Sequence, residues 1–296
     1  MARVASRVHA GLLAAQLLFA GFHVVGKAVL DHLHPLTLAA LRVGCATPLL
    51  LAIAWHHDRL LPRPRDLPHL VLLGALGVFA NQVLFILGLQ RTTATDAAIL
   101  MPSIPVFAVA LAALAGIERP GLKQVAGIGL AVGGALVMLR PWEGAWMAGG
   151  TLGNALILAN CLAYAAFLVA QRPLLERLPW RTVIAWSFLF GGIGVVAVAI
   201  PQLAELTPAT VPAAAWAGLA YIVLFPTAVG YSLATWAVQR STPALVAAYT
   251  TLQPLFAAAL AAAFLGERLG PAEGIGFVLI AAGLALVGRR RAAPPP

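Results

Sequence analysis

The polar side chains that interrupt the apolar stretches of this chain are few and regularly spaced. Gln16, His23 and Lys27 stand 7 and 4 residues apart, which sets all three on one face of a helix. Asn160, Tyr164 and Gln171 stand 4 and 7 apart and repeat the pattern in the second half. Asn81, Gln82, Ser103, Thr227, Tyr231, Tyr249, Thr250 and Gln253 occupy similar surroundings, with Phe19 and Arg42 among them. Amides and hydroxyls exchange hydrogen bonds with a solute, rings cover its apolar parts, and a guanidinium grips a carboxylate at two points. Such a set suits binding. Each member also has a plainer use. A Ser or Thr bonds a carbonyl one turn back in its own helix, and an amide joins helix to helix. The plainer use is the expectation for the hydroxyls, and cavity lining for Asn81, Gln82 and Gln253.

Catalysis asks for clustered groups: paired carboxylates, a histidine with an orienting acid, or a nucleophile beside a base. No such cluster stands out. The seven histidines occupy positions 9, 23, 32, 34, 56, 57 and 69, and all but His23 fall at termini or in loops. His56 and His57 beside Asp58 read as a solvated loop. All ten acidic residues fall in loops or at helix ends, so a carboxylate relay is missing and any ion coupling falls to His23 or to no side chain. A hydrogen-bonded core histidine is the simpler reading of His23. Cys45 and Cys161 lie in apolar stretches without a CxxC or Cys/His pattern, and both read as small core residues. Neither a metal nor a cofactor is implied.

The elements that carry these groups belong in lipid. Of 296 residues, 61% are hydrophobic and 10% charged, whereas soluble domains are roughly a quarter charged. The net charge of +9 is scattered between apolar runs, which argues against a nucleic-acid partner, since that needs a clustered basic face. A window of bilayer-spanning length finds ten helical spans, near residues 9–29, 36–55, 68–89, 96–116, 122–139, 150–171, 182–200, 213–235, 243–265 and 271–288. Strands of a barrel would alternate polar and apolar residues, and these runs do not. The basic start and apolar run of residues 1–22 resemble a signal peptide, but similar runs follow throughout, so a retained first helix is expected.

Lysines and arginines set the orientation. With the N-terminus inside, fourteen lie on the cytoplasmic side and four outside, with Arg42 left in the second span. The positive-inside rule then puts both ends in the cytoplasm of a cell-membrane protein. Trp55, Trp142, Trp146, Trp180, Trp216 and Trp236 fall near span ends, at headgroup level. Lys27 and Arg42 lie toward the outer ends of their spans, where snorkelling competes with burial. Arg42, two turns into its helix, is the better candidate for burial.

The chain also repeats itself. Residues 90–140 laid on 239–289 match at about a third of positions, including Gln90-Arg91 with Gln239-Arg240, Pro105 with Pro254 and Glu118-Arg119 with Glu267-Arg268. Gly121, Gly127 and Gly134 match Gly270, Gly276 and Gly283. One separation serves throughout (254 − 105 = 149). The front parts match more weakly, residues 19–33 on 164–178 and Thr37 on Thr182 (182 − 37 = 145). Five spans per copy make the second copy enter the membrane inverted, the construction of an alternating-access carrier. The expected units are residues 9–140 and 150–288, followed by a basic cytoplasmic tail, 289–296. Pro105 and Pro254, about ten residues into their helices, are candidate hinges or static kinks. Gly129 and Gly133 form a GxxxG, which marks close packing within the bundle or a dimer face, so the chain is expected as monomer or homodimer.

Two copies, each with a Pro-bearing helix, a Glu near its end and a Gly-rich helix, resemble the EamA-type carriers of the drug/metabolite transporter superfamily. The stretch NQVLFILGLQRTTATDAAILMPSIPVF (81–107) is similar to the family's third and fourth helices. The resemblance implies an all-helical membrane fold of ten helices in two inverted repeats. It also implies export of a small amphipathic solute such as an amino acid or drug-like compound. The residues add a filter of their own. Amides, hydroxyls and rings with at most two cations suit a zwitterion or neutral solute better than a multiply charged sugar phosphate. A membrane-embedded lipid-modifying enzyme is the competing class.

Overall fold

The computed structural model describes residues 2–92, 100–139, 142, 150–265 and 271–288. Asp96, Arg140, Glu143, Trp146, the Glu267-Arg268 pair and the tail 289–296 lie outside the described residues.

All regular structure among the described residues is helical, as a chain in lipid requires when each backbone amide must be satisfied within its own segment. The helices that build the bundle are α1 (Ala2–Leu30), α2 (Pro35–Asp58), α3 (Leu67–Gly74), α4 (Asn81–Leu89), α5 (Ser103–Leu114), α6 (Leu122–Leu139) and α7 (Thr151–Ala170). They continue with α8 (Trp180–Val198), α9 (Ala213–Ile222), α10 (Tyr231–Arg240), α11 (Pro243–Ala248), α12 (Gln253–Leu265) and α13 (Pro271–Gly288). Short pieces join some of them end to end. Seven continuous helical stretches are long and apolar enough to cross a membrane: Pro35–Asp58, Pro64–Gly88, Leu122–Leu139, Thr151–Leu175, Trp180–Val198, Ala213–Arg240 and Pro243–Leu260. They fall on seven of the ten expected spans. At the other three positions stand α1, 29 residues long, and the shorter apolar helices Ser103–Leu114 and Gly274–Val287.

Two helix pairs show how the bundle is held. Helices α6 and α13 touch backbone to backbone. A Cβ added to Gly127 would lie 2.8 Å from the Gly283 carbonyl oxygen, and one added to Gly134 would lie 2.8 Å from that of Gly276. Only glycine allows that approach. Residue numbers rise along one helix as they fall along the other, so the pair is antiparallel. Of the two readings of Gly129 and Gly133, packing within the bundle is corrected here: a Cβ on either meets open space, and the close packing is made by Gly127 and Gly134. Helices α2 and α8 are also antiparallel. Arg181 meets Asp58 at one end, Thr47 donates to the Phe188 carbonyl at 3.3 Å midway, and at the other end Thr37 donates at 3.3 Å to the Gln202 carbonyl, in the short helix Ile200–Ala204 just past α8.

Helical irregularities fall at matching places. A π-helical segment, Ala75–Ala80, joins α3 to α4, and another, Val223–Gly230, joins α9 to α10. Pro226 gives the second a reason, since a ring without a donor disrupts the regular ladder. Each candidate hinge proline follows an irregularity in its helical run. Pro105 is the third residue of α5, after a turn at Met101 and Pro102, and Pro254 is the second residue of α12, after a 3₁₀ stretch Tyr249–Leu252. In the first turn of a helix a missing N–H costs little, so the break falls one turn ahead of each ring. The cysteine expectation also divides. Cys161 is buried as expected, whereas Cys45 is exposed on the outer side of α2.

Candidate functional site

Helices α1, α2 and α4 enclose a cavity of about 240 Å³ lined by Phe22, Leu30, Pro35, Leu38, Ala39, Arg42, Gln82, Phe85, Ile86 and Gln90. Leu30, Pro35 and Gln90 stand at helix ends, so this space lies toward the end of the bundle opposite Asp58. A second cavity, of about 110 Å³, shares Phe22, Arg42, Gln82 and Phe85 with the first. It reaches Phe19, Asn81, Asn160, Tyr164, Tyr231 and Gln253. The two spaces adjoin, with Arg42 and Gln82 in the wall common to both.

Arg42 is 5% exposed. Its Nε donates to the Thr227 hydroxyl at 3.2 Å, and its guanidinium lies over the Phe22 ring, 4.5 Å from the centroid. Among the described residues no carboxylate pairs with it. Burial is therefore the outcome for Arg42, and snorkelling is not. A buried ion costs several kcal/mol without a partner, and a hydroxyl and a ring face offset only part of that. Such a group is primed for an anionic oxygen.

Tyr231 organises the deeper cavity. Its hydroxyl accepts from Gln82 Nε2 at 3.3 Å and donates to Asn81 Oδ1 at 3.2 Å. Phe19, Tyr164 and Phe188 meet its ring edge to face, with centroids 5.5, 6.4 and 5.2 Å away. Asn160 Nδ2 donates to the Asn81 carbonyl at 2.5 Å, in the helix just past the π-helical segment. Gln253 Nε2 donates to Gln16 Oε1 at 2.9 Å, which buries Gln16 behind the wall.

Nine of the sequence candidates thus converge: Gln16, Phe19, Arg42, Asn81, Gln82, Asn160, Tyr164, Tyr231 and Gln253. Ser103 lines neither cavity. Tyr249 lies a helical turn from Gln253, buried, with its hydroxyl 2.6 Å from His9 Nδ1. The side chains of His23 and Lys27 lie outside the described residues. Phe22 and Phe85, which line both cavities, escaped sequence reasoning although a signal was present. Each stands three residues, one helical turn, beyond a candidate, Phe19 and Gln82 respectively.

The opposite end is closed by charged and backbone contacts. Arg181 Nε and Nη2 donate to Asp58 Oδ1 at 2.9 and 2.6 Å, and the Thr182 hydroxyl donates to Oδ2 at 2.9 Å. Asp58 is thereby buried and paired, which corrects its reading as part of a solvated loop. Arg177 reaches Asp66 at 3.1 Å. Arg172 Nη1 donates to the carbonyls of Val238, Gln239 and Ser241, at 2.8, 3.2 and 3.1 Å. Gln239 Nε2 donates back to those of Leu175 and Leu178, at 2.9 and 3.1 Å. Glu118 Oε1 accepts from the Ala244 amide at 3.1 Å, at the first turn of α11.

Apolar membrane-spanning helices around a largely apolar internal cavity that carries a buried guanidinium and a few amides, shut at one end, fit a multi-pass membrane transport protein. The EamA-like transporter family matches residues 7–140 and, separately, 151–289, and the chain belongs to that family. It is 34% identical to a probable terminal-alkyne amino-acid exporter of Streptantibioticus cattleyicolor, over 79% of this chain and 79% of that one. It is 29% identical to Protein WALLS ARE THIN 1 of Arabidopsis thaliana, over 95% of this chain and 82% of that one. A solved crystal structure covers 97% of this chain with 99% of its own length, at a TM-score of 0.79 and 18% identity, and shares the fold.

Proposed function

We propose that this protein is a carrier, and not an enzyme, that exports a small amphipathic metabolite, an amino acid or drug-like solute, by alternating access. It works in the cell membrane with both termini cytoplasmic, as two inverted five-helix repeats, residues 9–140 and 150–288. The antiparallel pairing of α2 with α8 and of α6 with α13 supports inversion, because each pair joins helices that the repeat register equates. So does the bond between Gln82 and Tyr231, which occupy equivalent positions (231 − 82 = 149).

The observation that carries the solute class is Arg42, buried between the two cavities with no carboxylate partner among the described residues. A solute's carboxylate sits on this guanidinium, and its apolar body lies against Phe22, Phe85 and the rings around Tyr231. The relative named a probable terminal-alkyne amino-acid exporter supports the same class and direction.

Purified protein in liposomes, screened with amino acids, sugars, nucleotide sugars and cationic dyes, tests this reading. Saturable movement of an amino acid or similar carboxylate is expected. Arg42→Gln keeps an N–H donor near the place of Nε but is shorter and carries no charge, and should lower transport at subsaturating solute by about 10- to 100-fold, as loss of a charged hydrogen bond of roughly 1.5–3 kcal/mol requires. Movement of nucleotide sugars alone, or full activity of Arg42→Gln toward the carboxylate, would overturn it.

A further inference from the structure

Gln239 at the closed end has a register partner at the open one. It is Gln90, which is exposed and lines the mouth of the larger cavity. The acceptors of Gln239 have partners too. Leu175 and Leu178 correspond to Leu30 and Leu33 in the register of the front parts (175 − 30 = 145; 178 − 33 = 145). Leu30 lines the same mouth as Gln90.

The two turns that present these carbonyls have the same backbone bonds. At the closed end Arg177 and Leu178 N–H donate to the Leu174 carbonyl, at 3.0 and 2.9 Å. At the open end His32 and Leu33 N–H donate to the Val29 carbonyl, both at 3.0 Å. Each turn therefore leaves two carbonyls that no backbone amide satisfies among the described residues, Leu175 and Leu178 in one, Leu30 and Leu33 in the other. In the first turn a glutamine amide fills both acceptors. In the second the acceptors are formed and the glutamine stands beside the cavity.

We infer that Gln90 is the gate residue of the open mouth: in the opposite state of the carrier its amide donates to the Leu30 and Leu33 carbonyls and shuts the larger cavity, while the Gln239 contact parts. This rests on the alternating-access reading above. It makes Gln90 a positioning residue that need not touch the solute, and gives the two ends one kind of latch used in turn.

The test uses the full chain in lipid nanodiscs, carrying Cys45→Ser and Cys161→Ala so that spin labels go only where they are placed. One pair, Asp31→Cys with Arg91→Cys, reports the open mouth. A second, Glu176→Cys with Arg240→Cys, occupies the corresponding places at the closed end. Electron–electron distance measurements give the share of molecules with the mouth pair close and the other pair apart. Gln239→Ala should raise that share on the order of tenfold, since it removes two hydrogen bonds from one state only. Adding Gln90→Ala or Gln90→Glu should lower it by a similar factor. The glutamate variant keeps the shape of the side chain but has no N–H to donate. A share that rises with Gln239→Ala and is unmoved by either Gln90 variant overturns the gate and leaves alternation standing. If Gln239→Ala does not bring the mouth pair together in a larger share of molecules, alternation is overturned, and the gate with it.

Discussion

At one end of the α2 and α8 pair, Arg181 places two nitrogens on a carboxylate oxygen of Asp58 while Thr182 holds the other oxygen. At the far end Thr37 of α2 makes a neutral bond to the Gln202 carbonyl, in the short helix Ile200–Ala204 that follows α8, at 3.3 Å. Thr37 and Thr182 are register partners (182 − 37 = 145), so one residue type does two jobs. Beside a buried carboxylate it completes a charged cluster, and without one it tacks a helix end. Parting the first contact strands a charge whose side chain is 2% exposed, and parting the second frees a hydroxyl and a carbonyl near a mouth. The chain thus stiffens one end with groups that are expensive to separate and leaves the other on bonds that water replaces readily.

Three substitutions can break or sharpen that contrast. Arg181→Ala should have the largest effect, a loss of about 3 kcal/mol in unfolding free energy in detergent, because Asp58 stays buried without its cation. A loss no larger than that of an exposed ion pair would make the two ends alike. Glu118→Gln should come next. It weakens the charged cap on the Ala244 amide by about 1 kcal/mol, and a cysteine placed at Ser241 should react faster with a water-soluble thiol reagent. An unchanged rate would show that the carboxylate adds nothing to closure. Thr37→Val should cost least, about 0.5 kcal/mol, with no change in the reactivity at Ser241. A shift there would mean that the ends are mechanically joined through α2.

Much of this was legible in the residues. Apolar length found the helices, and regular spacing found Gln16, Asn160 and Tyr164. The cost of a charge in lipid marked Arg42 before its surroundings were known. Partners were beyond reach, because Arg42 meets Thr227 across 185 positions and Gln253 meets Gln16 across 237. Which glycines pack within the bundle was beyond reach for a related reason. Gly129 and Gly133 fit a motif, but which face of α6 meets α13 depends on the bundle, and that face carries Gly127 and Gly134. Pro105 follows a turn at Met101 and Pro102, and Pro254 a 3₁₀ stretch inside the continuous run Pro243–Leu260, and hydropathy registers neither irregularity.

The π-helical segments set an angular phase. Ala75–Ala80 moved by 149 positions falls inside Val223–Gly230, so both rods carry their extra residue at equivalent places in the repeat. One residue more or less turns all that follows by about 100° around the helix axis. On the first rod, Asn81, Gln82, Phe85 and Gln90 follow, and on the second, Tyr231 and Gln239. Deleting a single alanine from Ala75–Ala80 would therefore swing the cavity wall and the mouth glutamine away together, leaving Tyr231 to face a different side of its partner. An insertion that looks like a local flaw in a helix is the common clock by which the binding wall and the mouth stay in step.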